Sequence, residues 1–475
     1  MKNKIVYKYI GKVLIAFSIL LLVPIIVSII YKETFISFLV PLLVSLFLGL
    51  LLNSIKVEKK TLYARDGFMI VSLAWIIISI LGALPFCIDL RLSFVDAWFE
   101  SVSGLTTTGA TVFNDVENLG NNILFWRSFT HFIGGMGVLA FVMAIVPLSR
   151  DDKSMHVLKA EMPGPTVAKL VPGIKKTLFY LYAIYLGLTF LEFVFLIIGG
   201  LDPFHSILIS MGTAGTGGFA YLNNSLATFS LFNKYVVAIF MFLFGVNFNI
   251  YFLMIIMKDI KLALKSEELK IYILLYISAV IFILINTYNM FNNISEALVS
   301  SVFHISSFMT STGYSIGDVN IYPTVCRLVV LFLMLVSACA GSTCGGFKLS
   351  RLIICLKTIK RDLLKIFHPN SVNIITFEGK KVEEKTVNNI CTFLFLYIFF
   401  ILIIMVLVSF DGFSFEVVLN SVFTTFGNVG LAFNITSFDM FSDFSTVVMT
   451  FGMLLGRLEI FPLIGLLSNI RNKSS

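Results

Sequence analysis

The sequence predicts an all-α polytopic membrane protein. A unit of helix, half-membrane helix, polar loop and helix is repeated four times around one axis, behind two additional N-terminal helices. Three observations predict this. Hydrophobic residues fill 58% of the 475 positions and charged residues only 13%, too few to cover a soluble surface of this size. Apolar runs long enough to cross a hydrocarbon core of about 30 Å as helices recur along the chain. Between them a polar stretch with a landmark glycine returns four times, at Gly109, Gly218, Gly313 and Gly430, and such internal repetition has to be read before any single motif.

Taken in order, the apolar runs lie at about 13–30, 35–52, 67–88, 129–148, 177–200, 235–257, 271–290, 328–347 with a continuation, 387–410 and 447–470, which makes ten spans with the eighth and tenth irregular. The first follows a basic start but is long, lacks a small-residue cleavage site and is followed at once by a second span, so it reads as a retained helix and not a signal peptide. If both termini are cytoplasmic, 29 of the 35 Lys and Arg fall in inside segments. That asymmetry orients the helices and accounts for the net charge of +8 without any nucleic-acid partner.

The four segments placed outside share one plan. A short apolar helix-like run leads to Leu105-Thr106-Thr107-Thr108-Gly109-Ala110 in the first, Ala214-Gly215-Thr216-Gly217-Gly218-Phe219 in the second, Met309-Thr310-Ser311-Thr312-Gly313-Tyr314 in the third and Gly427-Asn428-Val429-Gly430-Leu431 in the fourth. Phe94, Phe204 and Phe415 precede the landmark glycines by 15, 14 and 15 residues, a length suited to a half-membrane helix. The third such helix, entering near Glu296, reads one or two residues longer. The resulting division is residues 1–60 for two extra N-terminal helices, then repeats at 61–150, 151–260, 261–370 and 371–475, with an intramembrane loop in the third.

Rings of backbone carbonyls replace the hydration shell of a monovalent cation without fixed charge. Aiming successive carbonyls at one axis requires positive φ, which glycine supplies, while Ser and Thr hydroxyls add oxygens or anchor the strand. Half-helices directed at the ring bring the negative ends of their dipoles to the ion. Each repeat thus reads as helix, pore helix, filter loop and helix around one pore, in the manner of a K+ channel. The ion-binding set is Thr107, Thr108 and Gly109; Thr216, Gly217 and Gly218; Ser311, Thr312 and Gly313; and Asn428, Val429 and Gly430. Gly218, not Gly217, aligns with the others because an apolar or aromatic residue follows it.

The eighth span is interrupted by Gly341, Ser342, Thr343, Cys344, Gly345 and Gly346. Three glycines there weaken a helix by up to ~1 kcal/mol each, so the span should break. Arg457 stands between apolar runs in the tenth span, and an intramembrane Arg faces a cavity or a partner. Glu459, two residues on, does not share its helical face. Glu192 within the fifth span reads as structural before it reads as a transport group. Glu100 above the first loop either attracts cations or orients the strand. The six cysteines, Cys87, Cys326, Cys339, Cys344, Cys355 and Cys391, lack metal-ligand spacing and read as small core residues. His131, His205 and His304 have no accompanying ligands. With no nucleophile paired to a base and no metal set, an enzyme is not expected, nor is any cofactor in this chain. A Na+- or H+-coupled secondary transporter would use inverted repeats with an odd number of spans, whereas these repeats share one orientation.

The chain resembles the TrkH/KtrB potassium transporters over essentially its whole length. The resemblance rests on Phe99-Glu100-Ser101-Val102-Ser103-Gly104-Leu105-Thr106-Thr107-Thr108-Gly109-Ala110, Gly134-Gly135-Met136-Gly137, Glu161-Met162-Pro163-Gly164-Pro165, Ala340-Gly341-Ser342-Thr343-Cys344-Gly345-Gly346 and Gly456-Arg457. Two extra N-terminal spans place it nearer the TrkH branch. The resemblance implies potassium uptake across the bacterial cytoplasmic membrane by a homodimer with one pore per subunit. It implies K+ as the transported ion, selected because all four loops carry glycine where some Na+-carrying relatives have Ser in the first. It further implies a gate made by the 341–346 loop and Arg457 below the filter, controlled by a cytosolic TrkA-like regulatory subunit that binds the nucleotide.

Overall fold

A computed structural model describes residues 4–57, 64–145, 174–370 and 373–465. The Glu161-to-Pro165 motif and the end of the tenth span lie outside the described residues. Helices α1 (Lys4–Leu20) and α2 (Leu22–Tyr31) form one slightly interrupted span, and α3 (Ile36–Asn53) returns beside α1. Gly11 and Gly49 permit this contact, since a Cβ on Gly11 would stand 2.7 Å from the Asn53 nitrogen. Small residues at a crossing let two membrane helices approach closely enough to gain packing.

The repeats follow in order. The first comprises α4 (Ala64–Asp89), α5 (Phe94–Leu105) and α6 (Asn121–Ile145). The second comprises α7 (Ile174–Ile198), α8 (Pro203–Gly215), α9 (Leu231–Phe244) and α10 (Phe248–Tyr251), with a π turn at Phe252–Ile256 and the short α11 (Ile260–Lys265) behind it. The third comprises α12 (Glu267–Thr287), α13 (Ile294–Met309), α14 (Thr324–Leu335) and α15 (Leu349–Phe367). A small antiparallel hairpin, β1 (Thr376–Phe377) and β2 (Lys380–Lys381), precedes the fourth, made of α16 (Glu384–Val408), α17 (Phe415–Phe426) and α18 (Asp443–Arg457).

By length and composition, six helices among the described residues are apolar and long enough to cross a membrane, and the bent pair α9–α10 makes a seventh. The shortfall from ten has local causes. Helices α14 and α18 are shortened by breaks, and the fourth expected span, begun by α6, runs on beyond the described residues. The sixth span differs most from its expected straight run over 235–257. It ends at Phe244, and the chain turns by 93° before resuming at Phe248. Chain breaks at membrane depth survive only when the freed backbone groups find partners inside the protein. Here Cys339 N–H donates to Gly245 O at 3.1 Å and Phe248 N–H to Gly341 O at 3.1 Å.

Helices α5, α8, α13 and α17 are the short elements that carry the loops. Ser93 caps α5 by accepting from Asp96 N–H at 3.1 Å. Asp202 accepts from the Phe204 and His205 N–H groups of α8, whose first residue is Pro203, the position where a missing N–H costs nothing. Three of these helices have 12 or 13 residues, whereas α13 has 16 and starts at Ile294. It therefore exceeds the expected excess of one or two residues and is about one turn longer than its counterparts.

Candidate functional site

All four short helices end in the same way. Thr108, Gly217, Thr312 and Val429 donate their N–H groups to Ser103, Gly212, Ser307 and Thr424 carbonyls at 2.8, 2.9, 2.8 and 2.9 Å. The backbone there enters the left-handed region twice, with one residue between. The pairs are Thr107 and Gly109 (φ 56° and 84°), Thr216 and Gly218 (55° and 78°), Ser311 and Gly313 (52° and 86°), and Asn428 and Gly430 (55° and 83°). This recurrence aligns Gly218 with the other landmark glycines through backbone conformation alone.

The four loops meet in a closed ring. A Cβ added at Gly109 would overlap the Gly217 carbonyl oxygen, one at Gly218 the Thr312 oxygen, one at Gly313 the Val429 oxygen, and one at Gly430 the Thr108 oxygen. Each landmark glycine thus faces the carbonyl preceding the landmark glycine of the next repeat, in the order one, two, three, four and back to one. All twelve residues named from sequence are brought together here. Hydroxyls brace the strands from behind: Thr106 with Thr108 at 2.8 Å, Thr310 with Thr312 at 2.7 Å, Ser307 to Tyr314 O at 2.6 Å and Thr424 to Leu431 O at 2.8 Å. In the second repeat Gly212 occupies the position of Ser307 and Thr424, and the Tyr314 hydroxyl from the third donates to Phe219 O at 3.3 Å instead.

Glu100 is fully buried and is an orienting group. Its carboxylate accepts from Arg127 Nε at 2.8 Å, Thr111 Oγ1 at 3.1 Å and Val112 N–H at 3.1 Å. Arg127, 2% exposed, also donates to Ala220 O at 3.1 Å and lies 4.1 Å from the centre of the Phe219 ring. The pair ties the strands that leave the first and second loops. His131 bridges the same two repeats, with Nδ1 2.9 Å from Gly104 O and Nε2 accepting from Phe219 N–H at 3.2 Å. Accepting at Nε2 requires the proton on Nδ1, which then donates to Gly104 O.

The eighth span breaks where its glycines suggest. Residues 336–348 link α14 to α15, with Gly341 and Gly346 at φ 73° and 71°. The loop touches the ring directly, because Gly345 N–H donates to Ser311 Oγ at 2.9 Å and a Cβ on Gly345 would stand 2.6 Å from Asn428 Cβ. Arg457 Nη1 donates to Thr343 O at 2.8 Å and Nη2 to Gly134 O at 2.9 Å. Lys348 Nζ donates to Cys344 O and to Gly345 O, so two cations hold three consecutive loop carbonyls. Glu459 does not pair with Arg457; it meets Arg351 of α15 across the break at the end of α18, where Glu459 and Ile460 both have positive φ.

Glu268 on α12 accepts from Ala340 N–H at 2.7 Å and Asn247 Nδ2 at 3.4 Å, joining the α9 break to the loop. Sequence reasoning missed Arg127, His131, Lys348 and Glu268 as contributors. For Arg127 and His131 the available signal was a polar or charged residue isolated in an apolar run, as used for Arg457; Lys348 follows the glycine-rich loop and Glu268 lies in a charged stretch, so neither carries that signal. Glu192 is buried with both carboxylate oxygens lacking a hydrogen-bond partner among the described residues. No group of three or more His, Cys, Asp or Glu able to hold a metal occurs among the described residues.

Comparison with known proteins agrees with this architecture. Residues 35–473 match the TrkH family, described as a cation transport protein. The chain is 32% identical over 464 residues to the Trk system potassium uptake protein TrkG of Escherichia coli K12, covering 95% of each. It is 30% identical over 477 residues to TrkH of the same strain, covering 98% of each. The crystal structure of the potassium transporter TrkH from Vibrio parahaemolyticus superposes with a TM-score of 0.89 at 28% identity, covering 98% of this chain and 99% of that one. The chain belongs to the TrkH family of cation transport proteins.

Proposed function

We infer that this protein takes up K+ across the bacterial cytoplasmic membrane through the four-loop ring. The observation that carries this reading is the closed cycle of glycines and carbonyls at 109, 218, 313 and 430. A ring of backbone carbonyls substitutes for the hydration shell of a monovalent cation, and the four short helices direct their C-terminal ends toward it. Names of the relatives, Trk system potassium uptake proteins and a potassium transporter, support K+ as the ion. The repeats divide at 61–150, 151–260, 261–370 and 371–475, and both termini are cytoplasmic.

In this reading the 341–346 loop obstructs the pathway beneath the ring. Arg457, held to Thr343 O and Gly134 O, adds a positive barrier and opens as the loop withdraws. The functional unit is a homodimer with one pore per subunit, and a TrkA-like cytosolic subunit that binds nucleotide sets the loop's position. No residue of this chain forms or breaks a covalent bond in the process. Expression in a bacterium lacking its own K+ uptake systems tests the reading: growth at low K+ is expected, and a membrane-inserted protein that fails to restore it overturns the reading.

A further inference from the structure

Glu192 lies in the second half of α7, is fully buried and takes no part in the conduction pathway. Leu188 and Leu196 stand one turn to either side on its face, and α7 packs against the second pore helix, α8. Neither carboxyl oxygen receives a hydrogen bond, and among the described residues no ion pair includes it. The groups within electrostatic reach there are the hydroxyls of Thr213 on α8, Tyr185 on its own helix and Tyr314 in the third repeat. An ionised carboxylate in this position would lose its hydration with nothing in return. It would also stand beside the last turn of α8, the negative end of that helix.

The hydrogen count at Thr213 leads to the same charge state. Its hydroxyl proton goes to Ile209 O at 2.9 Å, so only its lone pairs are free for Glu192. A carboxylate there would meet a second acceptor, whereas a carboxylic acid finds a partner. The position in the fold gives that partnership a use. Gly212 stands where the other repeats carry Ser103, Ser307 and Thr424, and a Cβ on Gly212 would lie 2.2 Å from the Tyr314 hydroxyl oxygen. The second loop therefore lacks the hydroxyl brace found behind the third and fourth. It hangs instead on the end of α8, where Thr213 O accepts from Thr216 N–H at 2.9 Å and Thr216 is the first left-handed residue of the loop.

We propose that Glu192 is a positioning residue for the second loop of the ring, kept protonated and donating its carboxylic acid hydrogen to Thr213 Oγ1. That bond holds the Thr213 hydroxyl on Ile209 O and fixes the last turn of α8, from which Thr216 to Phe219 depart. The Tyr314 hydroxyl secures the far end of the same segment at Phe219 O. The proposal deepens the reading of the ring as a K+ filter and rests on it for its effect on transport, but not for the state of the carboxyl.

Two measurements on the full-length protein in lipid vesicles test it. In the infrared difference spectrum between the unaltered protein and Glu192→Gln at neutral pH, the C=O stretch of a protonated carboxylic acid is expected. Thr213→Val should move that band to higher frequency, where an acid that donates to nothing absorbs. In uptake assays Glu192→Gln, whose amide still donates, is expected to keep the Rb+/Na+ ratio. Glu192→Leu is expected to lower it about fivefold, the worth of one hydrogen bond. A carboxylate band in place of the acid band, an acid band unmoved by Thr213→Val, a ratio unchanged in Glu192→Leu, or a ratio lowered as far by Gln as by Leu would each overturn the proposal. An unaltered protein with no preference for Rb+ over Na+ would overturn the filter reading and this residue's effect on transport with it, while the infrared band would still decide the state of the carboxyl.

Discussion

Substituting Gly109 probes the ring directly, because any side chain there must overlap the Gly217 carbonyl oxygen and hold φ at 84°. The backbone conformation alone costs an L-residue ~1–2 kcal/mol. Gly109→Ser is therefore expected to displace the Gly217 carbonyl and to lower the Rb+/Na+ uptake ratio by up to about tenfold, since ~1.4 kcal/mol corresponds to that factor. An unchanged ratio in whole-cell uptake would remove Gly109 from the selectivity set. Arg127 makes a different demand. Removing one member of a buried ion pair strands the other, at a cost of ~3–5 kcal/mol, so Arg127→Leu should lower the thermal midpoint in detergent by several degrees. Pairing it with Glu100→Gln should recover part of the loss, an outcome that distinguishes the clamp from simple loss of packing. The landmark glycines were legible in sequence because positive φ leaves a residue-type signature, and repetition multiplied it by four. Arg127 was legible as a charge isolated in an apolar run but its partners were not, since nothing local announces a carboxylate 27 positions away or the Phe219 ring from another repeat.

The intramembrane loop is the element on which flux should depend most. Its carbonyls at 343, 344 and 345 are held by Arg457 and Lys348, and its amide at 340 by Glu268. Arg457→Ala and deletion of residues 341–346 are each expected to raise cation flux in proteoliposomes, and Lys348→Met to raise it by less, because Arg457 still holds Thr343. Flux unchanged in all three would mean that the loop does not limit passage. The loop could be anticipated from sequence because three glycines within six residues defeat a helix. The 93° turn between α9 and α10 could not, because Gly245-Val246-Asn247 sits in a long apolar run without proline. What stabilises that turn is distributed: the bonds from Cys339 and to Gly341 come from about 100 residues away in the chain, and no window on local composition contains them. The third pore helix was legible as one or two residues longer, entering near Glu296, but not as a full turn longer, because this repeat lacks the aromatic that marks the start of the other three.

At the scale of the molecule, the ring closes only because the fourth repeat returns to the first. Gly430 faces Thr108 O, Asn428 Nδ2 donates to Thr108 Oγ1 at 2.9 Å, and Phe438 N–H donates to Thr111 O at 2.9 Å. Four loops can share one ring only if all four lie on the same side of the membrane, which requires each repeat to cross an even number of times. The lysine and arginine distribution satisfies this independently, since the segments that carry the loops are poor in both while the alternate segments are rich. These two constraints together predict a single topology that labelling can test. Asn118 follows the first loop and Lys380 lies in the hairpin before α16, and both are exposed. With a membrane-impermeant maleimide applied to intact cells, Asn118→Cys is expected to react and Lys380→Cys only after permeabilisation. The unsubstituted protein serves as the blank, because four of its six cysteines are buried and Cys87 and Cys391 lie within membrane helices. Reaction of Lys380→Cys in intact cells would place the hairpin and the ring on one side, which an even-crossing repeat forbids.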